Sequence, residues 1–185
     1  MQEMLTNLAT YGYLILFFYS LGGGMIALIA AGILSGGGSM NIWLSILIAF
    51  GANFLGDSAL FYLTRFNKKE ILPYLRKQRR NLALSQVLFK KYGSIIILFK
   101  KYIYGFKTLV PMAIALTKFS FMKFSILNFI SSAIWAVSVG LASFYAGNLI
   151  IKFYENNPKW LLPLFLIILI LAIYFYFKKA TKRQN

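Results

Sequence analysis

Cysteine and histidine are absent from this sequence of 185 residues, and acidic residues are scarce, with four Asp or Glu in total. Without thiols and imidazoles the chain cannot form disulfides, a zinc finger, a thiol nucleophile, a histidine-ligated haem or a Ser-His-Asp triad. So few acid–base groups also disfavour an enzyme. We therefore expect a protein that is not an enzyme and that uses neither a metal nor a cofactor.

Hydrophobic and basic residues are abundant instead. Hydrophobic residues make up 59% of the chain, and 20 Lys or Arg give it a formal net charge of +16. Such a charge often indicates nucleic-acid binding, but a mean hydropathy of +0.69 is too high for an ordinary soluble domain. We therefore predict an all-α integral membrane protein with no nucleic-acid partner. It would form a single membrane domain over residues 1–185, in which the charge sets the topology.

The first apolar stretch, residues 8–34, is interrupted by three consecutive glycines, Gly22, Gly23 and Gly24. Each glycine weakens a helix by roughly 1 kcal/mol relative to alanine. Backbone groups freed by such a break find no water in lipid, so the break must be buried in protein or line a cavity. The stretch is either one long span or two legs of a re-entrant hairpin with the glycines at its tip or hinge. The glycine amides could also form an anion-binding nest.

A second interrupted stretch covers residues 94–117 and contains three lysines, Gly105 and Pro111. A lysine at the centre of a bilayer costs about 3 kcal/mol or more. A plain transmembrane helix with three such lysines is therefore unfavourable. We predict a re-entrant hairpin that lines a wet cavity, with Gly105 and Pro111 at its tip or hinge.

Three further apolar stretches carry no such interruption, residues 41–63, 124–151 and 160–177. A helix needs about 20 apolar residues to cross a bilayer, so these stretches are predicted transmembrane helices. The one polar block, residues 65–91, is strongly basic and has apolar positions at loose helical spacing. That pattern is typical of an amphipathic helix at a membrane surface.

The distribution of basic residues orders these segments across the membrane. The basic block and the C-terminal tail should both be cytoplasmic, because cytoplasmic segments carry an excess of Lys and Arg. The two interrupted stretches then enter the bilayer from opposite sides, and each is followed by a full span. This predicts an inverted repeat, residues 8–63 and 94–151, separated by the cytoplasmic amphipathic segment 65–91 and completed by a C-terminal transmembrane helix, 160–177.

Asp57 is the only acid in any of the apolar stretches. Ionisable residues inside membrane segments commonly mark proton relays or ion pathways, so Asp57 could carry a proton or balance a cation. The alternative is a structural salt bridge to Arg65 or to one of the hairpin lysines. The two interpretations are compatible, and the sequence does not decide between them.

Lys100, Lys101 and Lys107 lie among aromatic residues in the second interrupted stretch. In a hairpin open to the cytoplasm they would line a cationic cleft, for which a phosphate or a phospholipid headgroup is the natural ligand. The alternative is that the lysines extend to the membrane interface while their stems stay in lipid. That alternative suits Lys100 best and Lys107 least.

Two motifs in these segments resemble a known family. Residues 51–65, Gly-Ala-Asn-Phe-Leu-Gly-Asp-Ser-Ala-Leu-Phe-Tyr-Leu-Thr-Arg, resemble the Gly-x-x-x-Gly-Asp-x-x-x-Tyr-x-x-Gly-Arg signature of the DedA family, also called the VTT-domain or SNARE-associated Golgi protein family. Residues 101–111 resemble the family's Arg-Phe-Ile-Pro-Gly-x-Arg-Thr-x-x-Pro motif. The resemblance covers about residues 12–150 of the chain.

The resemblance implies a multi-pass protein of the bacterial inner membrane, with two opposed re-entrant hairpins, that moves lipids across the bilayer. It places the family's functional arginines on Lys101 and Lys107 and its acid on Asp57. Because both arginines are lysines here, the charge is kept but bidentate recognition of a phosphate is lost. The first hairpin has no acid, so Asp57 would act alone in any proton coupling.

We therefore expect a flippase or transporter for an anionic or phosphate-bearing lipid, either undecaprenyl phosphate or a phospholipid. Lys100, Lys101 and Lys107 would bind the phosphate, and Asp57 would couple protons or balance charge. The protein would lie in the bacterial inner membrane with a cytoplasmic C-terminus, and a homo-oligomer is compatible with this arrangement. The alternatives are a transporter of a small ion or solute and a structural membrane protein that organises lipids.

Overall fold

The computed structural model describes residues 2–77, 79–102 and 107–156, and every regular element within these ranges is helical. The helices are α1 (Gln2–Leu21), α2 (Met25–Gly36), α3 (Ile42–Phe66), α4 (Lys68–Lys77), α5 (Arg79–Tyr92), α6 (Ile95–Phe99), a 3-10 turn (Lys100–Tyr102), α7 (Leu109–Ala115) and α8 (Phe121–Asn156). The chain divides into two compact units, Met1–Gly147 and Asn148–Asn185. All residues of the candidate site lie in the first unit.

In the part of the chain that the structure describes, α3 and α8 are the two helices long and apolar enough to cross a membrane. They correspond to the predicted spans, but both are longer than predicted. In particular, Lys152 to Asn156 continue α8 past residue 151, where the predicted span ends. The predicted C-terminal helix, residues 160–177, and the cytoplasmic tail lie outside the described residues.

The glycine triplet interrupts the first apolar stretch as predicted, and a single continuous helix over this stretch is wrong. Helix α1 ends before Gly22, and α2 begins after Gly24. Gly23 has a φ of +93°, which a residue with a side chain rarely adopts. The amides of Gly23 and Gly24 donate to the last carbonyls of α1, at 3.0 and 2.8 Å. Because these amides are already paired, they are not free to form the anion nest that the sequence allowed.

The second interrupted stretch is built from α6, the 3-10 turn and α7. Pro111 was predicted at the tip or hinge, but it is the third residue of α7 and is buried. Proline is tolerated there because backbone N–H groups in the first turn of a helix have no intrahelical partner. The other predicted tip residue, Gly105, lies outside the described residues. The basic block that precedes this stretch folds into α4 and α5.

Two buried hydrophobic clusters pack the interrupted segments against α3 and α8. The first cluster joins α1 and α2 to α3 and α8, and consists of Leu16, Leu28, Ala31, Ile46, Ala49, Trp135 and Ala136. The second joins α6 and α7 to the same two helices, and consists of Phe61, Ile96, Ile97, Val110, Ile114, Ala115 and Phe124. Helices α3 and α8 thus contribute to both clusters, and each interrupted segment is held against this shared pair.

Two glycines of α3 differ in their surroundings and provide a test of this packing. A Cβ atom on Gly56 would lie 2.9 Å from the carbonyl carbon of Leu21 at the end of α1, whereas a Cβ atom on Gly51 would meet nothing within 4 Å. We expect Gly56→Ala to destabilise the protein by about 1–3 kcal/mol, as overpacked sites do. Gly51→Ala should be neutral or stabilising, by up to about 1 kcal/mol, because alanine is the better helix former. Thermal unfolding in detergent would measure both, and equal melting temperatures would contradict the close approach of α1 and α3.

Candidate functional site

Polar side chains are buried on the facing sides of α3 and α8. Asn53 and Asp57 of α3 are four residues apart, as are Asn128 and Ser132 of α8, and all four are buried. Residues at this spacing lie on the same face of a helix. Both faces contact the lysines of the 3-10 turn that follows α6.

Asp57 forms ion pairs with two of these lysines. Its Oδ2 atom lies 2.8 Å from Nζ of Lys100 and 2.7 Å from Nζ of Lys101. Of the partners that the sequence offered for Asp57, the structure selects the hairpin lysines. Lys100 has no exposed surface, so the alternative in which it extends to the interface does not apply. Its ammonium group instead lies 5.2 Å from the ring centroid of Phe124.

Lys101 is surrounded by hydrogen-bond acceptors. Besides Asp57, its ammonium group donates to Oδ1 of Asn53, to Oδ1 of Asn128 at 3.1 Å and to Oγ of Ser132 at 2.9 Å. An ammonium group has three protons, so four acceptors exceed its capacity. The donors of Lys101 are therefore fully used by the protein in this arrangement.

Arg65 has a different role from the one that the sequence suggested as a partner of Asp57. Its guanidinium group donates to the carbonyl oxygens of Ala115, Thr117 and Phe119 at 3.0, 2.9 and 2.7 Å. These carbonyls lie at and just beyond the end of α7, where carbonyl groups have no intrahelical N–H donor. Arg65 thereby ties the end of the second interrupted segment to α3.

Lys107 joins the two interrupted segments to α8. Its ammonium group donates to the carbonyl oxygen of Gly23 and lies 4.3 Å from the ring centroid of Trp135. A Cβ atom on Gly23 would collide with the end of the Lys107 side chain, so a larger residue there would displace Lys107 and would also be strained at the positive φ. Lys107 is 9% exposed and interacts electrostatically with Asp57 and Lys100. The predicted site residues Lys100, Lys101, Lys107 and Asp57 are therefore brought together.

Several buried polar side-chain atoms have no hydrogen-bond partner among the residues that the structure describes. They are Oγ of Ser20, Nδ2 of Asn53, Oγ of Ser125 and Nε1 of Trp135. Two of the four, the amide nitrogen of Asn53 and the indole nitrogen of Trp135, are hydrogen-bond donors that cannot accept. Across the same residues there is also no group of three or more His, Cys, Asp or Glu. The two unpaired donors could each pair with an acceptor oxygen.

A groove of about 640 Å³ lies beside the glycine turn. It is lined by Phe18, Tyr19, Gly22, Gly23, Gly24, Met25 and Ile26. The carbonyl group of Gly23, which accepts from Lys107, belongs to the same turn. An apolar surface therefore adjoins the cationic residues at this point.

Sequence reasoning overlooked the polar and aromatic partners of the lysines. Asn53 and Ser132 accept from Lys101, and Trp135 contacts Lys107, yet the sequence assigned none of them to the site. The sequence did contain a pattern that could have identified the polar partners. Small polar residues recur at a spacing of four in α3, at Asn53 and Asp57, and in α8, at Asn128 and Ser132. Arg65 carried no comparable signal, since its acceptors are backbone carbonyls about 50 residues away in the sequence.

Comparison with known proteins places these residues in a family. The VTT domain family matches residues 5–147. Inner membrane protein YohD of Escherichia coli (strain K12) is 20% identical over 187 residues, covering 99% of this chain and 97% of YohD. Undecaprenyl phosphate transporter A of Staphylococcus aureus is 20% identical over 201 residues, covering 100% of this chain and 99% of the transporter. No solved structure matches the chain significantly.

Proposed function

Because the chain belongs to the VTT-domain (DedA) family, we propose that it is a membrane transporter that moves a phosphate-bearing lipid across the bilayer. A Staphylococcus aureus relative that aligns over the whole chain is named for transport of undecaprenyl phosphate, which makes that lipid the first candidate. The Escherichia coli relative is named as an inner membrane protein, and we assign this chain to the bacterial inner membrane on the same basis. No catalytic step is part of the proposal.

One observation carries the proposal, the burial of three lysines around one carboxylate. Lys100, Lys101 and Lys107 are at most 9% exposed, and Asp57 is the acid that pairs with them. Burying a charge is costly unless it is paired, and one carboxylate can balance only one ammonium group. A phosphate monoester, as in undecaprenyl phosphate, carries about −1.5 to −2 charges at neutral pH and offers three acceptor oxygens. It would therefore supply the acceptors and the negative charge that this cluster lacks.

The three lysines would contribute unequally. The donors of Lys101 are fully used by protein acceptors, and Lys100 is held by Asp57. Lys107 has a single hydrogen-bond acceptor, the carbonyl of Gly23, among the described residues. Two of its three protons are then available to a ligand. We assign direct phosphate contact to Lys107, with Lys100 and Lys101 contributing the positive field around it.

The arrangement of broken helices supports transport rather than simple binding. Transporters commonly place substrate sites where interrupted membrane helices meet, because irregular backbone is tolerated in a bilayer only where it is buried or lines a cavity. Here the glycine turn of the first segment meets Lys107 of the second. The re-entrant course of both segments and their inverted orientation are part of this proposal. The lipid chain would remain in the membrane, beside the apolar groove at the glycine turn.

A flux measurement on reconstituted protein tests this function. Liposomes of phosphatidylcholine would contain the purified protein and a fluorescent undecaprenyl phosphate, with unlabelled undecaprenol, a fluorescent phospholipid and potassium ions as parallel cargoes. We expect faster translocation of the phosphate-bearing lipid and no flux of the ion. Ion flux without lipid flux would instead establish a small-ion transporter. Absence of any flux would favour a structural role in organising lipids. A pH gradient across the same vesicles would show whether protons drive the lipid.

A further inference from the structure

Trp135 presents a buried donor that packing alone does not explain. The side chain has no exposed surface, and its Nε1 atom has no hydrogen-bond partner within the described ranges. Leaving a buried donor unpaired costs about 1–3 kcal/mol. Indole N–H groups usually find an acceptor when buried, and a phenylalanine ring would fill a similar volume without this cost. The burial of this unpaired N–H group therefore needs a specific explanation.

The position of Trp135 on α8 suggests that reason. Asn128, Ser132 and Trp135 follow one another at spacings of four and three residues, which places all three on one face of the helix. The first two contact Lys101, and the ring of Trp135 lies 4.3 Å from the ammonium group of Lys107. The indole therefore belongs to the helix face that carries the cationic cluster.

We propose that Trp135 is a ligand-binding residue, whose indole N–H donates to the same phosphate oxygens that Lys107 binds. The inference rests on the function proposed above. It adds a neutral hydrogen-bond donor to the lysines that are proposed to bind the phosphate. The two parts of the side chain would act separately. The face of the ring holds the Lys107 ammonium group by a cation–π contact, and the N–H edge binds the ligand. A phosphate oxygen, from a lipid headgroup or from free phosphate, is the acceptor that both donors share.

The substitution Trp135→Phe separates this role from a purely structural one. It keeps an aromatic ring beneath Lys107 and removes only the N–H edge of the indole. A structural role predicts unchanged ligand affinity, and stability that is unchanged or higher because an unpaired donor is gone. A binding role predicts the same effect on stability, because the ligand-free protein loses the same unpaired donor, together with weaker ligand affinity. Trp43→Phe is the matched control, because Trp43 is 67% exposed at the start of α3.

The experiment measures dissociation constants for undecaprenyl phosphate and for inorganic phosphate in detergent, together with melting temperatures. We expect Trp135→Phe to weaken binding of the lipid roughly 10-fold or more, since a hydrogen bond to a charged group is lost. Trp43→Phe should leave affinity unchanged. A parallel loss for inorganic phosphate supports a site that recognises free phosphate as well. A loss confined to the lipid supports recognition of the phosphate on its lipid.

A second variant keeps this inference distinguishable from the function on which it rests. If Lys107→Met loses binding while Trp135→Phe binds as tightly as the wild type, the role of Trp135 is wrong and the proposed function stands. If the wild-type protein binds neither probe, both are wrong. Should Trp135→Phe fail to fold, the wild-type Trp135 can be observed alone after the other two tryptophans are replaced by phenylalanine. Its fluorescence should shift when undecaprenyl phosphate is added, and an unchanged spectrum would overturn the inference.

Discussion

Replacing Lys107 with alanine is expected to reduce translocation of a phosphate-bearing lipid by roughly 30-fold or more, the usual effect of removing one partner of a buried charged pair. Lys107 is the cluster lysine whose protons are least used by the protein, with one hydrogen-bond acceptor in the part of the chain described. Its loss would remove the direct contact to the phosphate and part of the positive field. The measurement is the initial rate of lipid translocation in liposomes of equal protein content.

Two variants make the Lys107 result specific. Lys118→Ala removes the same charge from an exposed position after α7 and should leave the rate unchanged. Lys107→Met removes the charge but keeps an unbranched stem to pack against Gly23 and Trp135, so it should fold even if the alanine variant does not. Wild-type rates in a folded Lys107→Met protein would show that the phosphate binds elsewhere.

Replacing Asp57 with asparagine is expected to lower the free energy of unfolding by about 3–5 kcal/mol, as removal of one partner from a buried ion pair typically does. Two buried ammonium groups, those of Lys100 and Lys101, would lose the carboxylate oxygen that both contact. Asparagine keeps the size and one carbonyl oxygen but not the charge. Unfolding in detergent, followed by melting temperature and by denaturant titration, would measure the loss.

A compensating change tests the cause of that loss. Adding Lys100→Met to Asp57→Asn removes one unbalanced ammonium group, while Lys101 keeps its acceptors on Asn53, Asn128 and Ser132. Because the two sites are in contact, the effects should not add, and the double variant should recover about half of the lost stability. Glu155→Gln, at an exposed position near the end of α8, is the control for the change in charge. Equal stability of Asp57→Asn and the wild type would contradict a structural role for the ion pairs.

Features set by local chemistry could be predicted from the sequence. The helix break at the glycine triplet follows from the low helix propensity of glycine and was confirmed. Pairing of Asp57 with a hairpin lysine was one of the two partners considered, because a lone acid in an apolar helix needs a cation nearby. The assignment of phosphate binding to the lysines stays a prediction, as does the inverted repeat.

Features set by tertiary contacts could not be predicted. Long lysine side chains can reach the interface or turn inward, and only the position of Asp57 shows that Lys100 turns inward. Pro111 indicates a helix break in most contexts, yet it lies in the first turn of α7, where no backbone N–H is needed from it. Helix α8 continues past residue 151, the predicted end of its span, because residues 152–156 contain no proline or glycine.

The contacts of Arg65 have a consequence for the order in which the protein folds. Helix α7 has seven residues, fewer than the roughly 12–15 that an isolated helix needs to be even marginally stable. The carbonyls at its end are held by a side chain of α3, which leaves the ribosome about 50 residues earlier. We therefore expect helix α7 to become stable after α3 is in place to receive it. The surroundings of Lys107, which lies two residues before α7 begins, should then be completed late in biogenesis, after the first interrupted segment and α3 have formed.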